Sequence, residues 1–136
     1  MIYEGTISYN TIDKNGNEKT IKENYLLEHV DTFGEVEERL FDEFKSLNAL
    51  DIIAIKRSKL KEIMNKRTRD DERVYIADVA DIQHNDDGEE VEIVYKVALF
   101  AVSYDEAYRE IKEYLKEGYD MTLVGLRKTR IIDVLV

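Results

Sequence analysis

The sequence predicts an α+β fold: a tandem pseudo-two-fold repeat of two β-β-α-β units, mainly antiparallel sheet with two helices. Three observations carry this. The block Ala54 to Met64, AIKRSKLKEIM, recurs 71 residues later at Gly125 to Leu135 as GLRKTRIIDVL, with chemical class kept at ten of eleven positions and Lys61 against Ile132 the exception. Ahead of each copy lies a run of helical apolar spacing that opens on a hydroxyl residue three positions before a Glu, Thr32 with Glu35 and Ser103 with Glu106. Ahead of each helix lie two stretches of two-residue period separated by Asn15-Gly16 or Asp87-Gly88, pairs that suit a hairpin turn. A single compact domain over 1–136 is expected, made of a first unit at 1–65, a linker at 66–72 and a second unit at 73–136.

Each element has its own signal. From Ile2 to Ile12, Tyr3, Ile7 and Tyr9 share one parity while Glu4, Thr6, Ser8 and Asn10 take the other, the pattern of a half-buried strand. Asn15-Gly16 supplies positive φ, so Glu18 to Val30 returns antiparallel with Ile21, Tyr25 and Leu27 inward. The capped run places Phe33, Val36, Leu40, Phe41, Phe44 and Leu47 on one buried helical stripe. Asp51 to Ser58 is the third strand, and a right-handed crossover makes it parallel to the second. Asn65 to Glu72 is polar throughout and reads as the linker. In the second unit Tyr75, Ala77 and Val79 take the places of Tyr3, Gly5 and Ile7. Val91 to Val102 is apolar on both parities, which predicts a central strand buried on both faces. Tyr104, Ala107, Tyr108, Ile111, Tyr114 and Leu115 form the second helical stripe, Gly118 stops it, and Met121 to Lys128 is the last strand. The pattern leaves open whether six strands make one sheet or two.

Composition narrows the function classes. The 136 residues contain no Cys, which excludes disulfides, thiol nucleophiles and Cys-based zinc sites. The first ten residues lack the basic start and apolar run of a signal peptide, and no run approaches a bilayer span, so a soluble intracellular protein is expected. With 30 acidic against 20 basic residues the net charge of −10 opposes general attraction to phosphate backbones or anionic lipid.

Candidate site residues follow from where charge collects. Lys56, Arg57 and Lys59, with their repeats Arg127, Lys128 and Arg130, concentrate basic charge at symmetric positions on an acidic chain and would suit a phosphate-bearing ligand, a nucleotide or nucleic acid. The competing reading pairs them with Glu62, Asp133 and the acidic helix faces. Glu35, Glu37, Glu38, Asp42 and Glu43 crowd the first helix, and Asp86, Asp87, Glu89, Glu90 and Glu92 the second hairpin, where ordered carboxylates would mimic a phosphate backbone or face a partner; solvated acidic surface is the plainer account. Tyr3, Tyr25, Tyr75, Tyr95, Tyr104, Tyr108 and Tyr114 fall on parities or stripes assigned to packing, leaving Tyr9 and Tyr119 freer to stack on bases. No phosphate-loop, nucleophile-elbow, dinucleotide or zinc-protease motif occurs, and His29 and His84 lack a metal-ligand spacing. Asp78 or Asp81 with Glu92 and Lys96 is the one set that would suit a metal-dependent nuclease.

The Tyr-bearing first strand, the Lys-rich hairpin ending in Glu23-Asn24-Tyr25-Leu26, the AIKRSKLKEIM block and the closing Thr129-Arg130-Ile131-Ile132-Asp133-Val134 together resemble an uncharacterised family, a domain of unknown function. Its members are short acidic proteins of Bacteroidales, their mobile elements and tailed, crAss-like phages. The resemblance implies a bacterial or phage-infected cytoplasm and carries no mechanism. The expectation is a non-enzymatic accessory protein without cofactor or metal that binds a protein partner or a second copy of itself. Nucleic-acid or nucleotide binding through the twin basic motifs, an acidic nucleic-acid mimic and a nuclease are the alternatives.

Overall fold

The computed structural model describes residues 1–116, 118 and 121–136. The chain forms two units, Met1–Ser58 with Arg130–Val136, and Lys59–Thr129. Its elements are β1 (Tyr3–Ile12), β2 (Glu18–Leu27), α1 (Phe33–Phe44), β3 (Asn48–Arg57), β4 (Leu60–Ile63), β5 (Arg73–His84), β6 (Glu90–Ala101), α2 (Tyr104–Lys116), β7 (Met121–Lys128) and β8 (Ile131–Leu135). Two four-stranded sheets result, ordered β3-β1-β2-β8 in the first unit and β4-β6-β5-β7 in the second. No helix among the described residues is long and apolar enough to cross a membrane.

The two sheets share one plan. In each, the hairpin forms the centre and the third strand pairs antiparallel with the first, so that it runs parallel to the second strand with the first between them. The spacing predicts six strands; there are eight, because the repeated block is two strands and not one. Its first half ends β3 or β7. Its second half forms a short strand parallel to β6 or β2, in the sheet of the other unit. The chain therefore leaves the first unit after Ser58 and re-enters it after Thr129.

Irregularities repeat with the strands. Ile53 is an extra residue opposite β1 and Val124 an extra residue opposite β5, 71 positions apart, each a bulge that bends and twists an edge strand. The parallel pairings skip Lys61 and Ile132 in the same way. That skip explains why this pair alone departs from the repeat: a bulged residue is not tied to the ladder's alternation. Lys61 lies 4.1 Å over the Tyr95 ring, whereas Ile132 packs on the first core.

The turns are built by Asp13 and Asn85, whose side-chain oxygens each accept two backbone N–H bonds of 2.9 to 3.0 Å inside a five-residue loop. Only Gly16 and Gly88, at φ 79° and 78°, take positive φ there. Asn15 does not, since a five-residue loop needs one left-handed residue where a two-residue turn would need two. Thr32 and Ser103 cap the helices as their spacing predicts, accepting from the Glu35 and Glu106 amides at 3.1 and 3.2 Å.

Val36 and Leu40 of α1 close over Tyr3, Ile7, Tyr25 and Leu27. The fit is close enough that a Cβ on Gly5 would stand 2.5 Å from Leu40 Cδ1. Ala107, Ile111 and Leu115 of α2 cover Tyr75, Ala77, Val79, Val97 and Leu99. Phe33, Phe41, Tyr104 and Tyr108, assigned by spacing to the buried stripes, are exposed, since each lies on a flank of its helix. β6 is central as expected, but burial on both faces holds only from Val97 to Ala101; Val91, Ile93 and Val94 reach along the hairpin beyond the helix and are exposed. Tyr3, Tyr25 and Tyr75 are buried, Tyr95 and Tyr114 half-buried. Tyr119 lies outside the described residues.

Candidate functional site

β3 ends its sheet, so among the described residues one side of its backbone has no strand beside it. The buried stripe of α1 runs through Val36 and Leu40, which leaves Phe33, Glu37 and Phe41, four apart, along the flank next to β3. Between that flank and the strand lies a groove of about 440 Å³ lined by Phe33, Glu37 and Ile52 to Ile55. A second hollow continues it past Gly34, Glu38 and Phe41. Phe33 is 52%, Phe41 54% and Ile53 42% exposed. Phe33 is steadied from below by the Tyr3 ring, edge-on at 5.4 Å, and the bulge turns Ile53 outward.

The predicted acidic set on α1 divides by position. Glu37 and Glu38 border this groove. Asp42 and Glu43 face the opposite side, in a hollow shared with Arg39 and Asp133 to Val136. Glu35 is spent on the helix start, its carboxylate accepting from the Asp31 amide at 3.4 Å.

The twin basic motifs straddle the two crossings of the chain. Lys56, Arg57 and Arg130 belong to the first unit, Lys59, Arg127 and Lys128 to the second. All six are exposed. Lys56 pairs with Glu4 at 3.3 Å; the other five have no ion pair with a described residue. Glu62, a partner proposed by the charge-balance reading, instead accepts the Tyr114 hydroxyl.

A larger cleft of about 770 Å³ in the second unit escapes the sequence reading. Glu62, Met64, Glu106, Arg109, Glu110, Glu113 and Tyr114 line it, from β4 and α2. Its carboxylates are engaged: Glu62 by Tyr114, Glu106 by Arg69, Glu110 by Asn65 Nδ2 at 3.0 Å and Glu113 by Lys116 at 2.8 Å. Burial, reinforced by the Glu62 carboxylate, pushes the Tyr114 phenol well above its ordinary pKa.

Residues 65–72 beside it are a hydrogen-bonded loop of the second unit. The Asn65 amide bonds both backbone groups of Phe100, accepting at 2.7 Å and donating at 3.1 Å. Glu72 is 3% exposed and accepts from the Thr68 and Arg69 amides at 2.6 and 2.8 Å, and from Thr68 Oγ1 and Arg69 Nη2 at 3.3 Å. Burial raises its pKa, yet these bonds outweigh burial and hold it below the ordinary glutamate value. The one sequence signal for such a loop is an eight-residue polar run without Gly or Pro, poor material for a flexible linker.

Of the nuclease set, Asp78 and Lys96 meet at 2.5 Å on adjacent strands, while Asp81 accepts from Gln83. Among the described residues no group of three His, Cys, Asp or Glu is placed to hold a metal ion.

A family model matches residues 1–136, and the chain belongs to DUF4494, a domain of unknown function. No curated protein matches it.

Proposed function

We propose that this protein acts by binding another protein along the α1–β3 edge, as a non-enzymatic accessory protein of a bacterial or phage-infected cytoplasm. The observation that carries the reading is the groove of exposed Phe33, Phe41 and Ile53 beside Glu37 and Glu38, on a sheet edge with an unpaired backbone. Apolar anchors rimmed by charge and next to free strand hydrogen-bonding groups suit strand addition by a partner. The phage and Bacteroidales setting comes from the family resemblance of the sequence.

The test is a photo-crosslinking residue at position 53, with Thr20, exposed on β2 of the same sheet, as control. The reading expects a defined adduct in cells from position 53 alone, lost on Glu37→Lys with Glu38→Lys. Equal labelling from both positions, or none, refutes it.

A second reading, nucleic-acid or nucleotide binding, is supported by five exposed cations of the twin motifs that have no ion pair with described residues. Reversing Lys56, Arg57, Arg127 and Lys128 is then expected to abolish oligonucleotide binding and flatten its salt dependence. No binding at low salt removes it.

A further inference from the structure

The lining of the groove between α1 and β3 has an order along its length. Phe33 belongs to the first hollow, Phe41 to the second and Glu37 to both, so a carboxylate stands midway between two exposed rings. Glu38 joins it in the second hollow, and among the described residues no Lys or Arg lines either one. Neither Glu37 nor Glu38 has an ion pair with a described residue. The helix that carries them holds five acids, Glu35, Glu37, Glu38, Asp42 and Glu43, against Arg39 alone.

From this we infer that the occupant of the edge is an extended segment of another protein in which a Lys or Arg has an apolar residue two positions away on either side. The inference rests on the edge reading above and names the chemistry of the partner. Phe33, Glu37 and Phe41 follow one another at four residues, about 6 Å along the helix axis. A strand sets every second side chain about 6.6 Å apart. A segment lying beside β3 as a fifth strand therefore meets all three with successive side chains of one face: apolar on Phe33, basic on Glu37, apolar on Phe41. The order reads the same from either end, so it holds for both directions of the added strand. Backbone hydrogen bonds to β3 serve any sequence, and it is the alternate side chains that select. A neutral residue in the middle place would cover Glu37 and Glu38 without a counter-charge, and an acidic one would meet like charge. At the 71-residue offset α2 has Tyr104, Tyr108 and Lys112 in these three places. With no acid in the middle, the second unit does not offer the same order, and one site per chain is expected.

The probe is the blocked peptide Thr-Ile-Thr-Lys-Thr-Ile-Thr, with a counterpart carrying Glu in place of Lys, each titrated into the purified, isotope-labelled full chain and followed by amide chemical shifts. The Lys peptide is expected to move the amides of Phe33, Glu37 and Ile52 to Ile55 and to leave those of Tyr104, Tyr108 and Val124 in place. It is expected to bind about tenfold more tightly than the Glu peptide, since attraction at exposed carboxylates is exchanged for repulsion. Glu37→Lys with Glu38→Lys is expected to reverse the order of the two peptides, a gain that a loss of folding would not produce. Equal binding of the two peptides at β3, no shift at β3 from the Lys peptide, shifts confined to other acidic surface such as residues 86–92, or a double variant that keeps the wild-type order overturns the inference. So does the appearance of the same β3 shifts on raising the protein concentration alone, which makes a second copy the occupant. In each of these cases a defined position-53 adduct leaves the edge reading standing; neither peptide binding nor adduct removes both.

Discussion

Replacing Glu72 with Gln keeps its shape and removes its charge. In the native loop one carboxylate oxygen takes the Thr68 and Arg69 amides at 2.6 and 2.8 Å, and the other faces the Arg69 guanidinium at 3.3 Å. The Gln amide oxygen keeps the two backbone bonds as a neutral acceptor, while its NH₂ meets the guanidinium donor to donor. A hydrogen bond to a charged group contributes about 1.5–3 kcal/mol and a neutral one about 0.5–1.5. Over the two short bonds the exchange is expected to cost about 2 kcal/mol. Glu72→Ala, which strands two amides, is expected to cost about 3 kcal/mol or more at about 1–3 kcal/mol for each orphaned group. Urea unfolding at neutral pH reads both, with an unchanged slope showing that only stability has moved. The pH dependence gives an independent check. Glu72 has its folded pKa below the unfolded one, so its contribution is present above the unfolded value and is lost as pH falls through the folded value. The wild-type stability curve should therefore fall more steeply in acid than that of Glu72→Gln. Losses below about 0.5 kcal/mol for both variants, within the range of ordinary surface substitutions, refute the loop as a stabilising element.

Two further outcomes are expected. Gly5→Ala forces a methyl to 2.5 Å from Leu40 Cδ1 and should destabilise by about 1–3 kcal/mol in thermal or urea unfolding; no loss would mean that α1 does not sit so close on β1. Burial, with Glu23 beside Tyr25 and Glu62 beside Tyr114, raises both phenols, so phenolate absorbance should show a group of tyrosines ionising late in alkali, one fewer in Tyr25→Phe and one fewer in Tyr114→Phe. Their native pKa values lie above the unfolded value of about 10, so the stability they confer is complete below that pH and lost as pH rises through the native values. Two variants titrating like wild type would contradict the burial.

What the residues announced in advance was whatever the backbone dictates locally. A positive-φ glycine, a capping hydroxyl and an alternating strand each act within a few positions, and each recurs at the repeat offset. The strand exchange was not legible, because alternation in Ile131–Leu135 says that a strand forms and not which sheet receives it. Phe33 and Phe41 were assigned to the core because an amphipathic stripe is wide enough to admit flank positions, and only the sheet edge shows where cover ends. Val91 to Val94 misled by the same logic: apolar parity cannot report that a hairpin outruns its helix. The acidic set on α1 looked like one face, but the helix divides it between its two flanks, toward β3 and toward β8. In 65–72, a solvated linker and a hydrogen-bonded loop have the same composition, and only the burial of Glu72 separates them.

The duplication supplies an internal control for telling fold from function. Positions that both copies keep for geometric reasons are identifiable: the turn glycines, the caps and the bulged residues opposite β1 and β5. Exposed positions fall into two kinds beyond these. Lys56, Arg57 and Lys59 keep their positive charge at Arg127, Lys128 and Arg130, yet only Lys56 has an ion pair with a described residue, so charge balance within the fold does not account for their agreement. On the helix flanks, Glu37 against Tyr108 and Phe41 against Lys112 change class on a frame that is otherwise the same, so the fold does not require either choice. Shared exposed charge suits a phosphate contact repeated in each unit, as in the nucleic-acid reading. Divergent flanks suit a contact made by one unit alone, as in the α1–β3 reading. The two sets occupy different residues, so reversing the motif cations should leave the position-53 adduct, and its loss on Glu37→Lys with Glu38→Lys, unchanged, and coupling between them would mean that the divergence of the flanks had been wrongly separated from the agreement of the motifs.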